Sequence, residues 1–106
     1  MKKCFVSHLP VHLETYNQIF MTAVQLFPDN PTANLNAACI ALMQRDVQTA
    51  ATYLEKAPKV PETILAKGVL CFLKNNYEEA EYLFRQAQKA GLSQADNNLQ
   101  LVRALK

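Results

Sequence analysis

The stretch NNYEEAEYLFRQA, residues 75–87, sets Ala80, Phe84 and Ala87 four and then three residues apart. At 3.6 residues per turn, that spacing puts a small, a large and a small apolar side chain on one helical face. Thirty residues earlier, RDVQTAATYLEKA (residues 45–57) places Ala50, Leu54 and Ala57 at the same stations, while most positions between them differ. Likeness confined to one face points to helix packing.

The same offset lays Pro31 on Pro61, Leu35 on Leu65, Ala38 on Gly68 and Lys59 on Lys89. Only five of the thirty pairs are identical, so placement rather than identity defines the repeat. Each unit reads as two helices: Pro31 to about Gln44 and about Asp46 to Ala57, then Pro61 to about Lys74 and about Tyr77 to Ala90. Pro31 and Pro61 suit a first helical position, where no backbone N–H is needed, and Asn30 can cap. Arg45-Asp46 and Asn75-Asn76 read as tight turns between antiparallel helices. Gly91 reads as a left-handed helix end, and Ser93 opens a last helix through Leu105. A flanking helix over 11–27 precedes Pro28, with residues 1–10 as an extension. The expectation is a single all-α domain of about six helices: a flanking helix, repeat one over 31–60, repeat two over 61–92 and a capping helix over 93–105.

Spacing accounts for the recurring residues. Helices joined by a two-residue turn come close only where both present small side chains, here Ala38 and Gly68 against Ala50 and Ala80. Leu54 and Phe84, one turn further on, fill the wider part of the wedge. Ala57 and Ala87 then let the next pair stack.

Composition agrees. Half of the 106 residues are apolar or aromatic, enough for a core, and only 2 are glycine. The net charge of +2 comes from 11 basic and 9 acidic side chains scattered along the chain, which implies no field that would recruit nucleic acid. The apolar runs AACIALM and GVLCFL are far shorter than the roughly 20 residues that span a bilayer, so no membrane insertion is expected. MKKCFVSHLP begins with charge but lacks the apolar core of an export signal, so the chain reads as cytoplasmic as it stands. Cys4, Cys39 and Cys71 are odd in number and lack metal spacing, and are expected to be reduced and structural.

At these residues the chain resembles the tetratricopeptide repeat, whose first helix carries an aromatic, Leu-Gly and Tyr, and whose second carries Ala, Phe, Ala and then Pro. Gly68, Ala80, Phe84 and Ala87 match in the second unit, and Ala38, Ala50, Leu54 and Ala57 stand for them in the first. Ile64, Lys67 and Cys71 replace the aromatic, Leu and Tyr, and the linker PKVP shortens the unit to thirty residues. QIFMTAVQLFPDNP is similar to the end of a preceding repeat, with Phe20, Ala23 and Pro28 in register and Tyr16 where Ala is usual. More distantly, FPDNPTANLNAA followed by a short repeat is similar to the helical tail of envelope-associated proteins of gut anaerobic bacteria. That likeness implies a piece of a larger periplasmic or surface assembly.

Groups for catalysis are few. His8 and His12 have the i, i+4 spacing of a helical metal pair, with Cys4 nearby, which leaves a small metal-binding protein as one alternative. Pro10 between the histidines favours a helix start instead. Glu78, Glu79 and Glu81 fall in or beside a first helical turn, where the dipole favours negative charge, and Glu81 reaches Arg85 at i+4. No cofactor and no enzymatic activity are expected. The resemblance implies instead a partner-binding inner face on the first helix of each pair, here Leu35, Asn36 and Cys39, then Leu65, Val69 and Phe72. Members that clamp a peptide carboxylate place Lys, Asn and Arg at such stations, so this apolar lining argues against a clamp. It implies a non-catalytic scaffold for a protein or peptide, with the face open to an amphipathic helix or covered by a neighbouring domain or a second copy.

Overall fold

The computed structural model describes residues 13–105. They form six α-helices: α1 (Leu13–Leu26), α2 (Pro31–Met43), α3 (Val47–Leu54), α4 (Pro61–Leu73), α5 (Tyr77–Lys89) and α6 (Gln94–Leu105). No strand occurs among the described residues, so the expected all-α architecture is the one found. The chain divides into two compact units, Met1–Pro58 and Lys59–Lys106. Within the first, α1 packs on α2 and α2 on α3; within the second, α4 packs on α5 and α5 on α6.

Helix ends follow local chemistry. The Asn30 side chain accepts a hydrogen bond from the Ala33 N–H at 2.9 Å, capping α2, and Pro31 takes its first position. Asp46 caps α3 in the same way through the Thr49 N–H. Val60, held extended before Pro61, starts α4 without a side-chain cap. Helix α3 is shorter than its sequence pattern, ending at Leu54 rather than Ala57. Lys56 and Ala57 instead donate to the Tyr53 and Leu54 carbonyls, a tightened last turn, because the residue before Pro58 is pushed out of helical conformation.

Three helix ends share one geometry. After α2, Arg45 N–H donates to the Leu42 carbonyl and Asp46 N–H to the Ala41 carbonyl; after α4, Asn75 donates to Phe72 and Asn76 to Cys71; after α5, Gly91 donates to Gln88 and Leu92 to Ala87. These paired bonds satisfy the last carbonyls and require a left-handed residue at the first position beyond the cap. Gly91 (φ 99°) and Asn75 (φ 64°) adopt it readily, whereas Arg45 (φ 61°) carries a Cβ that opposes it.

The second unit is built on a close approach. A Cβ added to Gly68 would lie 2.6 Å from Phe84 Cε1 and 2.7 Å from Cδ1, so the missing side chain on α4 is the space the Phe84 ring occupies. That ring is 2 % exposed and has nowhere to retreat. At the matching stations of the first unit stand Ala38 and Leu54, both buried, where a larger small residue goes with a smaller large one. Ala80, Phe84 and Ala87 on α5 and Ala95, Leu99 and Val102 on α6 are buried at the same four-then-three spacing. In the first unit, Val24 of α1 packs with Ala33 and Ala37 of α2, beside half-buried Met21, Ala23 and Tyr53.

Two stability measurements check this account. Gly68→Ala should lower the folding free energy by about 1–3 kcal/mol through overpacking. Adding Phe84→Leu should recover part of that loss, because the double variant copies the Ala38 and Leu54 pairing; strict additivity in a double-mutant cycle would contradict the account. Arg45→Gly should raise stability by about 0.5–1 kcal/mol, the left-handed strain relieved less the flexibility of glycine in the unfolded chain. Urea denaturation showing an unchanged or lowered midpoint for that variant would show that Arg45 is unstrained.

Candidate interaction surface

Helix α4 is apolar around most of its circumference, and its sequence explains why it cannot hide all of itself. Thr63, Leu65, Ala66 and Gly68 are buried, while Val69, Leu70, Cys71, Phe72 and Leu73 are all half-buried. A helix that is apolar all round needs neighbours on every side. The Phe72 ring packs on the Tyr77 ring at the start of α5, with centroids 5.5 Å apart and planes tilted by 47°. Tyr77 is set by a hydrogen bond of its hydroxyl with Asn75 Oδ1 at 3.1 Å, inside the α4–α5 turn. The result is an aromatic pair flanked by Val69 and Leu73 at one end of α4.

The six residues expected on the inner face divide by burial. Asn36, Val69 and Phe72 are half-buried and present part of their surface. Leu35, Cys39 and Leu65 do not: Leu35 is 9 % exposed and the other two 1 %. Helix α2 lies between α1 and α3, and nine of its thirteen residues are buried, so a periodic reading of one inner face missed how much of it is core. The expectation of reduced cysteines also needs correction. Cys39 is disulfide-bonded, whereas Cys71 is a free thiol. Pairing between cysteines far apart in the chain leaves no local signature, so sequence spacing could not show it.

One polar residue with a structural role was not singled out from the sequence. Asn34, 1 % exposed, donates from Nδ2 to the Pro28 carbonyl at 2.9 Å and to the Asn30 carbonyl at 2.8 Å. It ties the α1–α2 turn to the first turn of α2, so a buried amide is satisfied by two backbone carbonyls, that of Asn30 also accepting from the Asn34 N–H at 3.1 Å. It also borders a shallow pocket of about 170 Å³ with Val24, Pro28, Tyr53 and Lys56. Asn34, four residues after Asn30, could have been read as a helix-start bond of this kind.

Of the acidic group on α5, Glu81 links two helices. Glu81 Oε2 accepts from Arg85 Nη2 and from Arg103 Nε of α6, each at 3.1 Å, so the expected i+4 pair is joined by a bond across two helices. Gln88 Nε2 donates to Asp96 Oδ1 at 2.8 Å, a second link between α5 and α6. Both arginines are about half exposed, so these ion pairs orient helices more than they stabilise them. Among the described residues, no group of three or more His, Cys, Asp or Glu side chains could hold a metal. Cys4, His8 and His12 lie outside the described residues. No described helix is long and apolar enough to cross a membrane.

No family model, curated protein or solved structure matches this chain. Its likeness to the tetratricopeptide repeat therefore rests on Gly68, Ala80, Phe84 and Ala87 and their counterparts thirty residues earlier.

The Cys71 thiol stands within this α4 surface. Partial burial pushes its pKa above the ordinary thiol value, the Glu79 carboxylate pushes it further, and Lys74 pulls it back. Because both larger effects disfavour the thiolate, less of the nucleophilic form is present at any given pH than in an unfolded chain. Iodoacetamide labelling of Cys71, followed by peptide mass spectrometry across pH, should give a profile displaced to higher pH than in denaturant. Glu79→Gln should move it part of the way back; a native profile at or below the denatured one would contradict the assignment.

Proposed function

We propose that this protein is a non-catalytic interaction module that takes a protein or peptide partner through the apolar face of α4. The observation that carries the reading is the half-buried run Val69, Phe72 and Leu73 with the tilted Phe72–Tyr77 pair, an apolar patch with no charge between Gly68 and Leu73. Such a patch matches an amphipathic helix or apolar peptide, whose anchors would enter beside the aromatic rings. The reading agrees with the likeness to tetratricopeptide repeats, in which first helices of each pair carry partner contacts.

Selection of a displayed peptide library on the immobilised chain tests it. Amphipathic sequences with bulky apolar anchors should be enriched, and their binding should fall at least tenfold with Val69→Asp or Phe72→Asp. Circular dichroism and thermal melting establish that each variant is folded. Binding unchanged in folded variants would remove the α4 face as the contact surface.

A second reading, a structural piece docked in a larger assembly, is favoured by a different observation. Ile19, Leu26 and Phe27 at α1, and Leu101 and Leu105 on α6, are each about half exposed or more. Exposed apolar groups on each terminal helix fit burial against a neighbouring domain or a second copy. Light scattering on the eluted chain separates these outcomes: self-association that disappears with Leu101→Glu supports docking between copies, and a monomer at all concentrations opposes it.

A further inference from the structure

We propose that the pocket of the first unit binds a small hydroxyaryl carboxylate, a single aromatic ring with a carboxylate at one end and a hydroxyl at the other. Val24 at the end of α1, Pro28 in the following turn, Asn34 on α2, Thr52 and Tyr53 on α3 and Lys56 just beyond it line the pocket. All belong to the first unit, so the site stands apart from the α4 face and does not depend on it.

Size sets the first limit. The pocket holds about 170 Å³, and an apolar cavity of about 150 Å³ accommodates one benzene ring. A single ring therefore fits, whereas a fused ring system or a nucleotide does not. The walls suit a ring as well. Val24 is buried and packs beside the half-buried Tyr53, and Pro28 adds a third apolar surface.

The polar groups set the orientation of the ligand. Asn34 donates from Nδ2 to two backbone carbonyls, which uses both amide protons and leaves Oδ1, an acceptor, as its remaining polar atom. No described group donates to Oδ1. Thr63 Oγ1 is the one sealed side-chain polar atom without a partner among the described residues, so Oδ1 is open, and the pocket is the opening that Asn34 borders. Lys56 supplies a cation nearer the water, its Nζ 3.6 Å from Asp29 Oδ1 in a pair whose side chains are 56 % and 94 % exposed. So loose and wet a pair exchanges one carboxylate for another at little cost. A buried acceptor and an exposed cation in one apolar pocket call for a donor at one end of the ring and an anion at the other. The ligand hydroxyl donates to Asn34 Oδ1, and its carboxylate meets the Lys56 ammonium.

Titration of the full chain, labelled with ¹⁵N, with 4-hydroxybenzoate near pH 7 tests the site, since there the carboxyl is ionised and the phenol is not. Saturating shifts should appear at the Asn34 side-chain amide and at the Thr52 and Tyr53 backbone amides, with α5 unmoved and a dissociation constant of about 1 mM or tighter. 4-Methoxybenzoate, which lacks the donor, and 4-hydroxybenzylamine, which reverses the charge, should each bind at least about threefold more weakly. Lys56→Gln should weaken binding of 4-hydroxybenzoate by a similar factor, and Asp29→Asn should strengthen it. These two variants break the same ion pair yet move affinity in opposite directions, which damage to the fold would not do. Absence of saturable shifts, or shifts centred on the second unit, overturns the site. Equal binding of the methoxy compound overturns the role of Asn34, and equal binding of the amine or unchanged affinity in Lys56→Gln overturns that of Lys56.

Discussion

The Phe84 ring lying where Gly68 lacks a side chain is the contact on which the second unit depends. Two helices can approach closely only if one gives up its side chain at the crossing, and the ring then fills the groove with carbon at van der Waals distance. Ala80 and Ala87 hold the same face one turn to either side, so α5 is pinned over three positions by two small residues and one large one. The apolar character of α4 follows from the same bargain. A helix wrapped closely on one side by Phe84 still has Val69 and Phe72 on its remaining circumference, both half-buried.

The two units solve this problem with different pairs. Ala38 with Leu54 and Gly68 with Phe84 distribute similar volume in opposite ways, which keeps the geometry of a tight helical hairpin while changing both residues. Their turns differ in the same spirit. Asn75 and Arg45 occupy the same left-handed station, yet only Asn has a side chain short enough to favour it. The backbone bonds that end α2 and α4 are alike in partners and spacing, so the turn is dictated by helix-end carbonyls and the identity of the residue adjusts only its cost.

Charge takes a secondary part in both units. Glu81 accepts from two arginines on different helices, and Lys56 lies 3.6 Å from Asp29, but both arginines, Lys56 and Asp29 are about half exposed or more. They select orientation rather than supply the energy of folding. Asn34 has more consequence, since its buried amide donates to two carbonyls at the turn between α1 and α2.

Local chemistry by itself determined the helices. Proline at a first position, asparagine before it, and glycine after a last turn act within a few residues, so Pro31, Asn30 and Gly91 marked boundaries that hold to within a residue or so. The stripe of Ala80, Phe84 and Ala87 likewise identified a buried face, because its period is that of the helix. The end of α3 was misjudged by three residues, since Pro58 disturbed a turn that the apolar spacing alone would have continued. Tertiary structure decided what depends on several neighbours at once. Leu35, Cys39 and Leu65 share the apolar pattern of Val69 and Phe72, and no local signal tells a helix face covered by protein from one left partly open. The bond at Cys39, the reach of Arg103 to Glu81 and the buried amide of Asn34 belong to the same class, because each joins groups whose proximity is created by the fold.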